Sequence, residues 1–177
     1  NEKALKEINR GIELSKEIDD KKSLADCLIQ LSEIHASLSR YQDMLNSATK
    51  SLLFYQKIED KKGEAQSLNN IGMVHYYLGD YPEALEYYIK SLKIREEIGD
   101  HLGEAENLNN IGAVHSSLGD YPKALDYYIK SLKIKEEIGD RRGQGVSFHS
   151  IGRVFLEAGK YKEAREIFLR TAELYYR

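Results

Sequence analysis

The sequence predicts an all-α protein: nine helices arranged as a solenoid of antiparallel pairs. Three observations lead there: a 40-residue repeat, two helical apolar patterns inside each copy, and small residues that return at one phase. Residues 60–99 and 100–139 align without a gap and differ at ten positions, 61, 62, 66, 67, 73, 76, 77, 83, 86 and 95 and their partners 40 residues on. The same frame runs upstream through 20–59, where Leu31, Leu38, Tyr41 and Ala48 keep apolar or small character, and downstream through 140–177. Residues 1–19 fit as the second half of an earlier copy, because Ala4, Leu5, Ile12 and Ile18 fall where Ala84, Leu85, Leu92 and Ile98 do. One array is therefore expected over 1–177: the second helix of a truncated repeat in 1–19, then repeats 20–59, 60–99, 100–139 and 140–177.

In the first helix of a copy, Ala65, Leu68, Ile71, Val74, His75 and Leu78 recur at three- and four-residue spacing, a helical stripe and not a strand alternation. Gly79-Asp80 ends it. The second helix runs through Tyr81, Ala84, Leu85, Tyr88, Leu92, Ile94 and Ile98, with Asp80 as the expected N-cap and Pro82 in the first turn, where a missing N–H does no harm. Asp80 and Glu83 have capping-box spacing, which Lys123 forfeits one copy later. Small residues return at one place in each helix type: Gly72, Gly112 and Gly152 in first helices, Ala84, Ala124 and Ala164 in second ones. A lone hairpin of this length cannot bury both its apolar faces, so neighbouring copies must stack to close a continuous core.

Composition removes several function classes. Hydrophobic residues are 41%, charged residues 31% and mean hydropathy is −0.56, and no apolar run reaches the roughly 18 residues of a membrane span. A net charge of −3 lacks the basic excess that favours phosphate neutralisation, so nucleic acid is not the expected partner. The single cysteine, Cys27, forms no internal disulfide and reads as a small buried hydrophobe. His35, His75 and His115 lie one period apart at a phase that packs within the pair, and one metal ion cannot reach three separate layers. Glu96-Glu97 recurs as Glu136-Glu137, which marks a repeated edge and not one acid/base pair. Gly143-Gln144-Gly145 lacks the third glycine and the preceding strand of a dinucleotide loop, and no P-loop, G-x-S-x-G or H-E-x-x-H occurs. No catalytic residue, metal or cofactor is expected.

The run Leu68, Ile71, Gly72, Gly79, Tyr81, Ala84, Tyr88 resembles the tetratricopeptide repeat signature, with Leu68 where the family often has Trp and His75 where it often has Tyr. The usual unit is 34 residues with a closing Pro; this one has 40, no Pro there, and the extension Glu96-Glu97-Ile98-Gly99-Asp100, like the long units attached to bacterial signalling proteins and found in spindle-orientation adaptors. The resemblance implies a right-handed superhelix whose concave groove, lined by first helices, binds a protein or peptide. Its groove phase maps to Asp26, Ile29, Glu33, Ala36 and Ser37 in the first full copy, and to Gln66, Asn69, Met73, Tyr76 and Tyr77 in the second. The third copy supplies Glu106, Asn109, Ala113, Ser116 and Ser117, and the fourth Val146, His149, Arg153, Leu156 and Glu157, with Asn70 and Asn110 at the edge of the face. The Lys/Arg carboxylate clamp of chaperone-tail readers has no match at Ile29, Gln30, Glu33, Gln66 and Asn70.

Four of the ten differences between the near-identical copies, Gln66/Glu106, Met73/Ala113, Tyr76/Ser116 and Tyr77/Ser117, fall on this groove. Drift at exposed positions gives that pattern; so does a partner gripped by Tyr76 and Tyr77, the residue type enriched at interface hot spots. Asn69 and Asn109 suit either solvation or bonding to a peptide backbone. Net charge runs from −2 over 60–99 and −3 over 100–139 to +3 over 140–177, which a solvated surface or a ligand of mixed charge accommodates. The sequence thus leaves two functions: a non-catalytic scaffold that holds a partner segment in the groove, or a regulatory or self-association segment of a larger signalling protein, associating through uncapped ends at Asn1 and Tyr175-Tyr176-Arg177. With no signal peptide in view, a cytoplasmic location is expected.

Overall fold

A computed structural model describes residues 2–176, and side chains over 3–174; the expectations placed on Asn1, Tyr175, Tyr176 and Arg177 as chain ends lie outside those side chains. Among the described residues there are nine α-helices and no strand: α1 Glu2–Glu17, α2 Lys21–Ser37, α3 Tyr41–Lys57, α4 Lys61–Leu78, α5 Tyr81–Ile98, α6 His101–Ser117, α7 Tyr121–Glu137, α8 Arg141–Glu157 and α9 Tyr161–Tyr176. The chain divides into two compact units, Asn1–Ile98 and Gly99–Arg177. In the first, successive helices α1 to α5 pack on one another and α2 also touches α4; in the second, α6 to α9 do the same and α6 touches α8.

The first eight helices end within two residues of a left-handed backbone: Asp19, Ser39 and Glu59, then Gly79, Gly99, Gly119, Gly139 and Gly159, one every 20 residues. The following N–H then reaches back five residues to a carbonyl, as from Asp60 to Tyr55 at 3.0 Å and from Asp80 to His75 at 2.9 Å, closing the open end of the helix. The next residue starts the following helix. Asp20, Asp60, Asp100 and Asp140 each accept the N–H three residues on, at 2.9 to 3.3 Å. Asp120 also caps α7, and there Lys123 turns the lost capping box into an ion pair of 2.9 Å with the same carboxylate.

In the second copy Ala65, Leu68, Ile71 and Val74 are buried as the stripe requires. Leu78 and Ile98 are not: at 54% and 40% exposed they lie past the last packed turn of their helices, and the periodicity overextends the core there. Within a pair, Ser91 Oγ donates to the Ala65 carbonyl and Ser131 Oγ to the Ala105 carbonyl, each at 2.7 Å, so the two helices run antiparallel and the buried hydroxyls are satisfied. The small phase is a contact. A Cβ on Gly72 would lie 2.9 Å from the Tyr88 ring and 3.2 Å from the Ala84 carbonyl, and one on Gly112 would lie 2.8 Å from the Tyr128 ring.

Candidate functional site

In the first unit the face shared by α2 and α4 is built from side chains that leave the α4 stripe on its other side. Asn70 donates to Ser32 Oγ at 2.8 Å and is 1% exposed, so it fastens α4 to α2 and presents nothing at an edge; Asn69 is 7% exposed. Burial of Asn69 runs against its expected access to a peptide backbone, and burial of Asn70 against its expected place at the edge of the groove. Gln66 is half-buried, donates to Asn70 Oδ1 at 3.4 Å and accepts from Arg95 at 2.7 Å, and Met73 is half-buried beside it in the phase. Tyr76 and Tyr77 belong to a cluster of four tyrosines: Tyr77 stacks on Tyr41 of α3 at 5.2 Å, Tyr76 meets Tyr77 edge-on at 5.8 Å, and Tyr81 lies 5.9 Å from Tyr76. Tyr77, the outermost, is 48% exposed.

In the second unit α6 offers mostly small polar groups and α8 larger ones. Glu106 is exposed, and Asn109, Asn110 and Ser116 are half-buried. The Asn109 Oδ1 atom is buried without a hydrogen-bond partner among the described residues. Ser116 donates to Glu157 at 3.3 Å, Glu157 also holds the Arg153 guanidinium at 3.2 Å, and the exposed His149 lies 5.9 Å from the Phe168 ring.

A feature the sequence reading passed over joins this face to the core. Position 55 of the frame, repeated at 95 and 135, is buried: Tyr55 is 4% exposed, Arg95 2% and Lys135 4%. Tyr55 donates to Asp26 at 2.5 Å, Arg95 to Gln66 at 2.7 Å and Lys135 to Ser147 at 3.0 Å. Burial pushes the Tyr55 phenol above its usual range and the Lys135 ammonium below its own, the latter opposed by the carboxylates of Asp140 and Glu106. The signal was present: Arg95 continues the stripe Ala84, Tyr88, Ser91 at helical spacing, but its charge marks it as a surface residue.

The histidines pack within their pairs as the phase predicts. His75 stacks on Tyr87 and His115 on Tyr127, each at 5.5 Å, and buried His35 lies 3.5 Å from Ser47 Oγ. Cys27 is half-buried beside the cluster of Ile12, Leu24 and Leu28. Among the described residues no group of three His, Cys, Asp or Glu side chains could hold a metal ion, and no helix is long and apolar enough to cross a membrane.

No curated protein matches the chain in sequence. Among solved structures, a Rap protein complexed with competence and sporulation factor superposes with a TM-score of 0.85 at 22% identity, over 92% of this chain and 45% of that one. A STAND ATPase with a tetratricopeptide repeat sensor, from Pyrococcus horikoshii, gives 0.78 at 23% identity over 99% and 28%. BtubC from P. vanneervenii gives 0.76 at 19% over 89% and 65%, so the chain spans less than two thirds of each of these proteins. At such identities the likeness is one of fold: paired helices stacked in an α-solenoid. The family model for the tetratricopeptide repeat matches residues 63–137 and again 108–177. Together these cover more than half of the sequence, in the register of the Gly72 and Gly112 contacts, and the chain belongs to the tetratricopeptide repeat family.

Proposed function

We propose that this chain is a non-catalytic binding module that takes a polypeptide segment of another protein against its first helices. The tyrosine cluster at the C-terminal end of α4 carries the reading. Tyr77 is a large aromatic held rigid by its stack on Tyr41, half exposed, with a polar tip, so it offers contact area at little further cost in side-chain entropy. The equivalent positions in the next copy are Ser116 and Ser117, which offer no aromatic side chain there. Gln66, Met73 and Tyr76 flank Tyr77; Glu106, Asn109, Asn110, Ser116, His149 and Arg153 form the corresponding face of the second unit. Asn69 and Asn70, being buried, are left to packing. The Rap protein among the fold relatives is complexed with competence and sporulation factor, which supports a segment-binding use of such a fold.

A peptide-display selection against the whole chain, followed by titration of the selected sequences, tests this. Tyr77→Ala is expected to weaken them by more than about 1 kcal/mol with unchanged helical circular dichroism. Equal affinity for wild type and Tyr77→Ala would remove the cluster from the site. A second reading, a sensor or regulatory segment of a larger signalling protein, is supported by the STAND ATPase, whose fold likeness takes in 99% of this chain but 28% of its own. An adjoining ATPase, kinase, cyclase or DNA-binding module in the full reading frame is what that reading expects.

A further inference from the structure

Three aromatic rings of the first unit carry a lysine of the chain itself: Lys57 lies 5.7 Å from the centre of the Phe54 ring, Lys22 5.6 Å from that of Tyr55 and Lys90 5.2 Å from that of Tyr87. Each is less exposed than Tyr77, and Tyr77 carries no such cation among the described residues. The sequence leaves none to reach it. Residues 23–39, 41–49 and 63–89 contain neither Lys nor Arg, so the helices around the tyrosine cluster present almost no cation of their own. Arg40, beside Tyr41, is turned onto Asp43 at 2.6 Å. Arg95 is 2% exposed and donates to Gln66, while Lys22, Lys61 and Lys62 stand at the starts of α2 and α4, about four turns from the ends that hold the tyrosines. The carboxylates of the same face are Asp26, which accepts from Tyr55, and the exposed Glu33, one turn before Ser37 on α2.

We infer that the segment bound at the first unit is basic and lays an arginine on the exposed part of the Tyr77 ring, where the chain supplies no cation of its own. The inference rests on the reading of Tyr77 as the centre of the binding face and names the chemistry of its partner. Tyr41 stacks on the ring at 5.2 Å and Tyr76 meets it edge-on at 5.8 Å, so the ring is held in place while about half of the residue stays in solvent. A cation over an aromatic face is drawn by the ring quadrupole, and the attraction grows as the pair leaves water. A guanidinium is flat and weakly hydrated, so it stacks and still offers N–H groups to a carboxylate, and Glu33 is the exposed carboxylate of that face. An acidic segment would meet Asp26 and Glu33 with no open cation near the tyrosines to offset them. A proline-rich one would use the ring and leave the carboxylates idle.

The probes are the peptides selected by display, resynthesised with fluorescein and read by anisotropy against the full chain, each beside a copy whose arginine is replaced by citrulline, its neutral isostere. Arginine is expected in the selected sequences, and the citrulline copies are expected to bind at least about fivefold more weakly. Tyr77→Leu keeps an apolar side chain and removes the aromatic face, so a similar loss is expected, while Tyr77→Phe stays within about twofold of wild type, both with unchanged helical circular dichroism. Glu33→Gln weakens the arginine peptides and spares the citrulline copies, and added salt weakens the former more. Peptides that lose affinity with Tyr77→Ala yet bind equally well as citrulline copies overturn the inference and leave the segment-binding reading standing. Selected peptides that are acidic, or proline-rich without arginine, do the same. A selection that yields no binder, or binders indifferent to Tyr77→Ala, removes the Tyr77 site and this inference together.

Discussion

At residue 59 the chain does with a glutamate what it does with glycine at 79, 99, 119, 139 and 159. Glu59 has φ of 57° and Gly79 has 82°, and a side chain pays for that left-handed backbone with about 1–2 kcal/mol of crowding. Glu59→Gly is expected to raise stability by roughly 0.5–1 kcal/mol, the relief less the added freedom of the unfolded chain, and Gly79→Ala to lower it by a similar amount. Chemical unfolding midpoints check both. Lys135 carries a different cost. Its ammonium titrates lower in the folded chain than the ordinary 10.5, so between those values the unfolded chain holds more protons and stability rises with pH. The penalty is present at neutral pH and lifts only as pH climbs through the folded value. Lys135→Met is expected to match or exceed wild type at pH 7, by up to about 1 kcal/mol, because Ser131 still lies 3.3 Å from Ser147, and to abolish the alkaline gain. Unfolding curves from pH 7 to 10 decide it; a gain that persists in the variant arises elsewhere. Neither residue was legible in the sequence. A turn position read from Gly79 does not reveal that Glu59 shares its φ, and a lysine at the end of an amphipathic stripe looks solvated until its neighbours close over it.

At the scale of the helix the sequence was explicit where chemistry repeats and silent where partners come from another copy. The restart of each copy at 20, 60, 100 and 140 was read from the period, and the aspartate there proves to cap the helix by local hydrogen-bonding need, while the small phase at Gly72, Gly112 and Gly152 follows from a contact that recurs in those pairs. Gly112→Leu therefore drives a side chain into the Tyr128 ring and is expected to cost about 1–3 kcal/mol, measured as a drop in melting temperature; an unchanged melt would contradict the close approach of α6 and α7. Asn70 shows the other case. Its fate depends on Ser32, 38 residues earlier, so a groove map drawn from α4 alone assigned it to the surface. The Tyr77 stack on Tyr41 likewise joins two copies, and only the type of residue, not its rigidity, could be read in advance.

Across the whole molecule, protection should follow how many buried neighbours each helix has, since a repeat array draws its stability from adjacent contacts and not from one central core. α4 buries an unbroken run from Ser67 to Gly72 as well as Ala65 and Val74, while among the described side chains of α9 only Ala164 is buried. Amide hydrogen exchange is expected to be slowest in α4 and fastest in α9 and the first turn of α1. Uniform protection along the chain would instead indicate a single cooperative block. The left-handed residue followed by an aspartate that opens the next first helix has a consequence for how such a gene can grow. Every such junction breaks off and restarts with the same two-residue chemistry, so an unequal crossover between any two of them leaves a finished edge on both products. The near-duplicate segments at 60–99 and 100–139 have the form such an exchange leaves behind, a whole added step that needs no new join.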